Sequence, residues 1–277
     1  MINIDLHTHS NISDGVLDVA VLAARGLANG LEVWALTDHD EVVGVARARQ
    51  VAQELGLRHV PGVEVSISWA GQTIHVLGLQ INENTPALVQ GLQRTRAGRE
   101  PRARAIAAQL ADAGIPNAFE GALKYVSNPD LVSRTHFARY IIECGVCSRV
   151  NDVFQHYLVE GKPGFVPHHW ATLGEAIGWI HAAGGQAVVA HPGRYPLSDL
   201  ALGALLDEFK QLGGVGLEVV TGSHSADQFQ SFAKLAKYYG FLASVGSDFH
   251  APDESRVDIG KLPPLPANLT PIWHDWF

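Results

Sequence analysis

Nine side chains of metal-binding type sit at the ends of β-like runs spread over the chain, so the fold must carry distant strand ends to one place. They are His7 and His9 in Asp5-Leu-His-Thr-His9, Asp14 in Ser-Asp-Gly, His39 in Thr37-Asp-His-Asp40, Glu64 in Pro61-Gly-Val-Glu-Val-Ser66, and His75 in Thr73-Ile-His-Val-Leu-Gly78. His191 in Ala190-His-Pro-Gly193, with Asp248 and His250 in Gly246-Ser-Asp-Phe-His250, completes the set. A lone His or Asp at a strand end is more often a hydrogen-bonded structural residue than a ligand. Nine together read as a multinuclear site, because zinc, manganese and iron take imidazole and carboxylate ligands and paired ions activate water for hydrolysis.

The pattern between these residues is an alternation of β-like and helical runs, the signature of βα units around a mostly parallel sheet or barrel. Strands are expected at Ile2–Leu6, Val33–Thr37, His59–Ser66, Thr73–Gln80, Gln186–Ala190, Gly216–Val220 and Leu242–Ser247. Amphipathic helices are expected at Leu17–Asn29, Val43–Leu55, Leu173–Ala183, Leu200–Leu212 and Ser225–Tyr239. Ala70-Gly-Gln72 separates two β-like runs and predicts a hairpin in place of a helical crossover. From about Glu83 to Val166 the pattern is helical, with helices expected at Arg94–Ala113, Asn117–Tyr125, Arg134–Cys144 and Val150–Leu158. The organisation read from this is a barrel over residues 1–93 and 167–277 with an inserted helical subdomain at 94–166. A chain of 277 residues suits one such barrel. The Pro-rich stretch Leu262–Pro271 reads as an extended tail.

A formal charge of −8 argues against a coat for long nucleic acid, although bound cations would make a local site positive. Cys144 and Cys147 are the only cysteines, and a lone C-x-x-C reads as small apolar residues in a buried turn of the inserted segment, not as a catalytic or zinc motif. No apolar run reaches membrane-spanning length and no signal-like segment precedes Ile2, so a cytoplasmic protein with no obligatory protein partner is expected.

Residues two apart in a strand share a face, so His7 and His9 can grip one ion, and a carboxylate such as Glu64 can bridge two. All nine residues are expected at or just beyond the C-terminal ends of their strands, where barrel enzymes place their sites. Arg134, in Ser133-Arg-Thr-His136, and Arg194, in His191-Pro-Gly-Arg194, are candidates for binding phosphate, with Lys162 and His224 as weaker ones.

The combination D-x-H-x-H, T-D-H-D, A-H-P and S-D-F-H resembles the polymerase and histidinol phosphatase (PHP) family of metal-dependent phosphoesterases. The resemblance implies a distorted (β/α)7 barrel. Its nearest likeness is to members with a helical insertion that act on nucleoside 3',5'-bisphosphates or, in relatives, as 5'-to-3' exonucleases on short RNA. It implies a first ion on His7, His9, Glu64 and Asp248, a second on Glu64, His75 and His191, and a third on Asp14, His39 and His250. Glu64, His191 and Asp248 are the expected catalytic residues, with two or three manganese ions as cofactor and zinc or iron as alternatives. Asp5 and Asp38 are candidates for orienting imidazoles or for capping strand ends. The likeness singles out Arg102, among the arginines at 94–104, to reach a second phosphate or the base.

The expected reaction is removal of the 3'-phosphate from a nucleoside 3',5'-bisphosphate, giving a 5'-nucleotide. The alternatives are 5'-to-3' hydrolysis of short 5'-phosphorylated oligoribonucleotides, histidinol-phosphate hydrolysis, and a non-catalytic PHP module. Such modules tend to lose ligands, whereas ligand-type residues stand here at all nine positions. Amide-cleaving barrels that begin with H-x-H usually need a bridging carboxylated lysine, for which no residue here matches.

Overall fold

The computed structural model describes residues 2–277. Seven strands, β1 (Ile4–Asp5), β2 (Val33–Leu36), β3 (Arg58–Trp69), β4 (Gln72–Leu79), β5 (Gln186–Val189), β6 (Gly216–Thr221) and β7 (Leu242–Gly246), lie side by side in chain order. All neighbours pair in parallel except β4, which runs antiparallel to both β3 and β5. The sheet curls until its edges meet. Leu6 N–H donates to Val245 O at 3.1 Å, Asp248 N–H to His7 O at 2.9 Å, and His9 N–H to Phe249 O at 3.0 Å. The result is a nearly closed α/β barrel.

The strands are apolar on both faces because both are covered. All four residues of β2 are buried, as expected for a strand with side chains inside the barrel and helices outside it. The outer helices are α1 (Val19–Ala28), α2 (Val45–Leu55), α8 (Leu173–Ala182), α9 (Asp199–Gln211) and α10 (Ala226–Tyr239). Their starts follow the local chemistry: Asp18, Thr172, Ser198 and Ser225 each accept a backbone N–H as N-caps. The β3–β4 hairpin turns through Ala70 (φ 47°) and Gly71 (φ 79°), the left-handed pair that matches the twist of a two-residue loop.

Between β4 and β5 lie α3 (Pro86–Ala97), α4 (Arg99–Asp112), α5 (Ala118–Leu123), α6 (Arg134–Glu143) and α7 (Val150–Val153), the last widening into a π-turn over Phe154–Leu158. The helix expected at Arg94–Ala113 is therefore two helices. The first begins earlier, at Pro86, and the chain breaks at Gly98, where a Cβ would stand 2.4 Å from the His168 ring. Leu88 and Leu92 of α3 belong to the barrel core. Ile106, Leu110, Phe137, Ile141, Val153 and Leu158 form a separate apolar cluster with their neighbours, but the turn expected to bury Cys144 and Cys147 lies at the surface, with Cys144 exposed and Cys147 half-buried. The tail folds back as Ala243 N–H donates to Thr270 O at 2.9 Å. Among the described residues no helix is long and apolar enough to cross a membrane.

Candidate metal centre

The parallel strands deliver His7, His9, His39, His191, Asp248 and His250 just past their C-terminal ends. Glu64 and His75 depart from the expected placement. Glu64 lies mid-strand in β3, which continues into the hairpin, and His75 lies in the first half of β4. Because β4 runs backwards, its start lies at the end of the barrel where the other strands finish, and Ser66 faces His75 across the pair.

Glu64 is fully buried at the centre of the cluster. Its Oε1 lies 3.2 Å from His7 Nε2, 2.9 Å from His75 Nδ1 and 3.0 Å from His191 Nε2. Its Oε2 lies 3.3 Å from His9 Nε2 and 2.9 Å from His39 Nδ1. Asp248 Oδ1 stands 3.5 Å from His7 Nε2 and 3.2 Å from His9 Nε2, and those two nitrogens are 3.1 Å apart. Asp14 Oδ1 faces His250 Nε2 at 3.3 Å and His39 Nε2 at 3.6 Å. The structure thus brings all nine residues into one cluster.

The donor atoms fit divalent cations of the manganese, zinc and iron kind, which accept mixed imidazole and carboxylate shells. Asp14 Oδ1, His39 Nδ1, Glu64 Oε2 and His75 Nδ1 are buried without a hydrogen-bond partner, although His39 Nδ1 lies 2.9 Å from Glu64 Oε2 and Asp14 Oδ1 lies 3.6 Å from His39 Nε2. Lone pairs aimed at a shared ion leave this pattern. The donor atoms group within 4.8 Å as His9, Asp14, His39 and His250; as His7, His191 and Asp248; as His7, His9 and Glu64; and as His39, Glu64 and His75. These sets overlap more than the three ligand sets implied by the resemblance: His9 also faces the Asp14 group, and His39 also faces Glu64.

Charge within the cluster is strongly coupled. Burial disfavours the Glu64 carboxylate, and the His75, His39 and His7 imidazoles more than reverse this, holding its pKa well below the usual range. Burial likewise pushes the His39 imidazole down, but Glu64 and Asp14 beside it raise it to about 9. Burial and the neighbouring His250 and His39 rings lower His9 to about 3. Protons on imidazoles such as His39 and His7 offset the carboxylates in the protein alone.

The groups around the cluster differ from the sequence expectation. Neither Asp5 nor Asp38 touches an imidazole. Asp5 accepts the backbone N–H of Ser247 at 2.8 Å and of Gly260 at 3.2 Å, and Asp38 accepts from Ser10 and Ser13. Asp5 caps the end of β7, and Asp38 ties down the Ser10–Ser13 turn. The carboxylate that orients an imidazole is Glu218 in β6: His7 Nδ1 lies 3.0 Å from its Oε1, and His191 N–H donates to its Oε2 at 2.6 Å. The signal for it was a lone acid in the apolar run Gly216-Leu-Glu-Val-Val-Thr221.

The sequence of the N-terminal half carries a family signature: a PHP domain matches residues 5–121. Over 275 residues, 99% of this chain and 96% of the relative, the chain is 46% identical to a 3',5'-nucleoside bisphosphate phosphatase of Chromobacterium violaceum. The chain belongs to the PHP family. A 5'-3' exoribonuclease of Haemophilus influenzae is 41% identical over 269 residues, covering 97% of each chain. Among solved structures, an amidohydrolase from Chromobacterium violaceum with bound sulfate and no metal superimposes with a TM-score of 0.96 at 46% identity, covering 99% of this chain and 95% of that one.

In this PHP protein one arginine, in the turn after β5, reaches the cluster, and the helices between β4 and β5 hold further buried arginines. Arg194 donates from Nη1 to Asp248 Oδ2 at 2.7 Å, its side chain half exposed. Arg102 Nε donates to Val166 O and Arg134 Nη1 to Leu158 O, each at 3.1 Å, and among the described residues neither has a carboxylate partner. Burial, with Arg134 and Arg99 nearby, lowers Arg102 to about 9; burial, with Arg194 and Arg99 nearby, lowers Arg134 to about 10. Both guanidinium groups are thus buried without a carboxylate to offset them. Arg99 differs, because it is buried in an ion pair with Asp40 and stacks over Trp170 at 4.8 Å. Trp170 is itself buried beneath Arg99 and Arg102, so it presents no open face to a base.

Lys162 is exposed in the turn after the π-stretch, its backbone N–H donating to Val159 O at 3.1 Å. His224 is turned into the fold. Its Nε2 accepts the Gly193 N–H at 2.9 Å, its Nδ1 lies 3.2 Å from Val219 O, and its ring stacks on Phe232. With both nitrogens engaged by backbone, it braces the Gly193 turn.

Proposed function

We propose that this chain is a metal-dependent phosphomonoesterase that removes the 3'-phosphate of nucleoside 3',5'-bisphosphates and leaves the 5'-nucleotide. The observation that carries the reading is a buried His/Asp/Glu cluster together with the guanidinium groups of Arg102 and Arg134, which have no carboxylate partner, Arg134 feeling the charge of Arg194 beside Asp248. One end of a doubly phosphorylated molecule needs hydrolysis and the other needs only binding. The full-length likeness to a 3',5'-nucleoside bisphosphate phosphatase supports it.

His7, His9, Asp14, His39, Glu64, His75, His191, Asp248 and His250 would hold two or three divalent ions, with manganese proposed. When bound, these ions supply Lewis acidity for water activation and for charge on the phosphoryl oxygens. Glu64, at the centre, sets the spacing of the imidazoles on either side of it. Asp248 is held from behind by Arg194. Arg134 and Arg102 would bind the retained 5'-phosphate, so remote binding energy orients the reacting ester. Residues 94–166 are proposed as the unit that walls the nucleotide site, Lys162 lying at its exposed edge, in a protein of the cytoplasm.

A second reading, 5'-to-3' hydrolysis of short 5'-phosphorylated RNA, is supported by the likeness to a 5'-3' exoribonuclease. The chemistry is shared, because in both substrates a 3'-oxygen is the leaving group beside a 5'-phosphorylated ribose. Phosphate release from adenosine 3',5'-bisphosphate and adenosine 3'-monophosphate, compared with release of 5'-nucleotides from a 5'-phosphorylated RNA trimer, tests the proposal. Preference for the bisphosphate by tenfold or more over the monophosphate is expected. Equal efficiency on both monoesters would end the specificity claim, and faster turnover of the trimer would favour the second reading.

A further inference from the structure

We infer that Tyr195 is a positioning residue whose hydroxyl, set into the β4–β5 ladder, fixes the spacing of His75 and His191 about Glu64. The inference rests on the proposal that these three residues hold metal.

Val76 and Val189 are the last residues paired between β4 and β5. One step further, Ala190 N–H donates directly to His75 O at 3.1 Å. The return bond is relayed. His75 N–H donates to Tyr195 Oη at 2.9 Å, and Tyr195 O–H donates to Ala190 O at 2.9 Å. Residues in a hydrogen-bonded antiparallel pair ordinarily exchange both bonds directly. Here a hydroxyl stands in one of the two positions, so the strands part where two ligand-type imidazoles leave them.

The local chain serves this arrangement. His191 has a φ of 27°, a region that non-glycine residues rarely occupy, and the turn Pro192–Arg194 returns the chain so that Tyr195 can reach back. Glu218 takes the His191 N–H and Tyr195 takes the preceding carbonyl, so the backbone on both sides of the Ala190–His191 peptide is held. The imidazoles meet at Glu64 Oε1, His75 Nδ1 at 2.9 Å and His191 Nε2 at 3.0 Å. Without the hydroxyl, either the His75 N–H and Ala190 C=O lose their partner or the strand ends close to bond directly. Both outcomes move the ligand atoms. The phenolic proton is committed to Ala190 O, so Tyr195 is not free to protonate a leaving oxygen.

Tyr195→Phe keeps the ring and removes the hydroxyl. Metal-stripped parent and variant would be titrated with Mn2+ by calorimetry, and kcat and KM measured on adenosine 3',5'-bisphosphate across pH. We expect one class of Mn2+ site to weaken about 10- to 100-fold, the range for groups that orient ligands, and kcat to fall with little change in KM. In a His75→Ala background the same change should weaken Mn2+ binding by less than it does in the parent, because one of the two positioned ligands is gone. Tyr195→Gln, with a donor and an acceptor on a shorter stem, serves if the phenylalanine variant does not fold, and weaker Mn2+ binding than the parent is again expected. Tight Mn2+ binding by parent and variant alike overturns the inference and leaves the metal reading intact. Failure of the parent itself to bind Mn2+ overturns both. Parent-like Mn2+ affinity with loss of the basic limb of the pH–rate profile would make Tyr195 an acid instead.

Discussion

Glu218 and His7, 211 residues apart, form the contact that orients the first imidazole of the cluster: Nδ1 lies 3.0 Å from Oε1, and both side chains are fully buried. Gly246 leaves room for it, since a Cβ there would stand 2.5 Å from Glu218 Oε1 and 2.2 Å from His7 Cβ. The carboxylate fixes the tautomer that presents Nε2 to the cluster and makes the ring a better donor.

Glu218→Gln should therefore weaken metal binding about 10- to 100-fold and lower kcat in proportion. Metal content after dialysis, with kinetics at saturating metal, reads this out. Unchanged affinity would mean that Glu218 is a buried spacer and no more.

His9→Ala and Asp248→Ala each remove donor atoms that face two or more other members of the cluster. Substoichiometric metal and loss of turnover are expected in both. Full metal content with parent-like activity in either would remove the cluster from the mechanism.

Arg134→Ala and Arg102→Ala delete guanidinium groups that have no carboxylate partner, so the cost to folding is confined to the lost bonds to Leu158 O and Val166 O. Loss of a charge-assisted phosphate contact, about 1.5–3 kcal/mol, corresponds to a fall of roughly 10- to 100-fold in kcat/KM. Arg102→Ala should also shrink the preference for a substrate bearing a 5'-phosphate. Arg194→Ala should lower kcat/KM as well, and unchanged kinetics would mark it as a rim charge.

Arg99 behaves differently because its partner Asp40 is fully buried and also accepts from Ser66 N–H at 2.8 Å. Arg99→Leu leaves that carboxylate uncompensated, and breaking one side of a buried pair costs roughly 3–5 kcal/mol. Urea unfolding of the metal-free variant checks the figure. A loss below about 1 kcal/mol would show that water or Arg96 takes over.

Metal binding should release protons. His39 is raised to about 9 in the protein without metal, so at neutral pH it is protonated and must shed that proton to become a ligand. Apparent affinity should rise with pH up to about 9, and calorimetry in buffers of different ionisation heat counts the protons. The same shift has the opposite sign for the metal-free fold. A raised imidazole stabilises it fully below the unfolded value near 6.5, and that stability is lost as pH rises through about 9. A metal-free protein whose unfolding midpoint is flat between those values would contradict the His39 shift.

Composition, alternation and residue type, read along the chain, determined the βα architecture, the hairpin at Ala70-Gly71 and the identity of the residues that gather at the barrel mouth. Those properties are local: strand periodicity puts His7 and His9 on one face, and turn chemistry needs only its own dipeptide. The single helix expected at Arg94–Ala113 is two because Pro101 has no N–H to continue the ladder to Ala97 O, a local signal that the reading passed over, while the packing of Gly98 against the His168 ring is a tertiary contact. Only the tertiary structure decided which carboxylates serve the imidazoles. Asp5 and Asp38 stand next to histidines in sequence yet bond backbone amides and serine hydroxyls, while Glu218, hidden in an apolar strand, meets His7 across the barrel. It decided the arginines in the same way, pairing Arg99 with Asp40 and leaving Arg102 of α4 and Arg134 of α6 without a carboxylate. A charge acquires its role from what faces it after burial, and sequence distance carries no information about that.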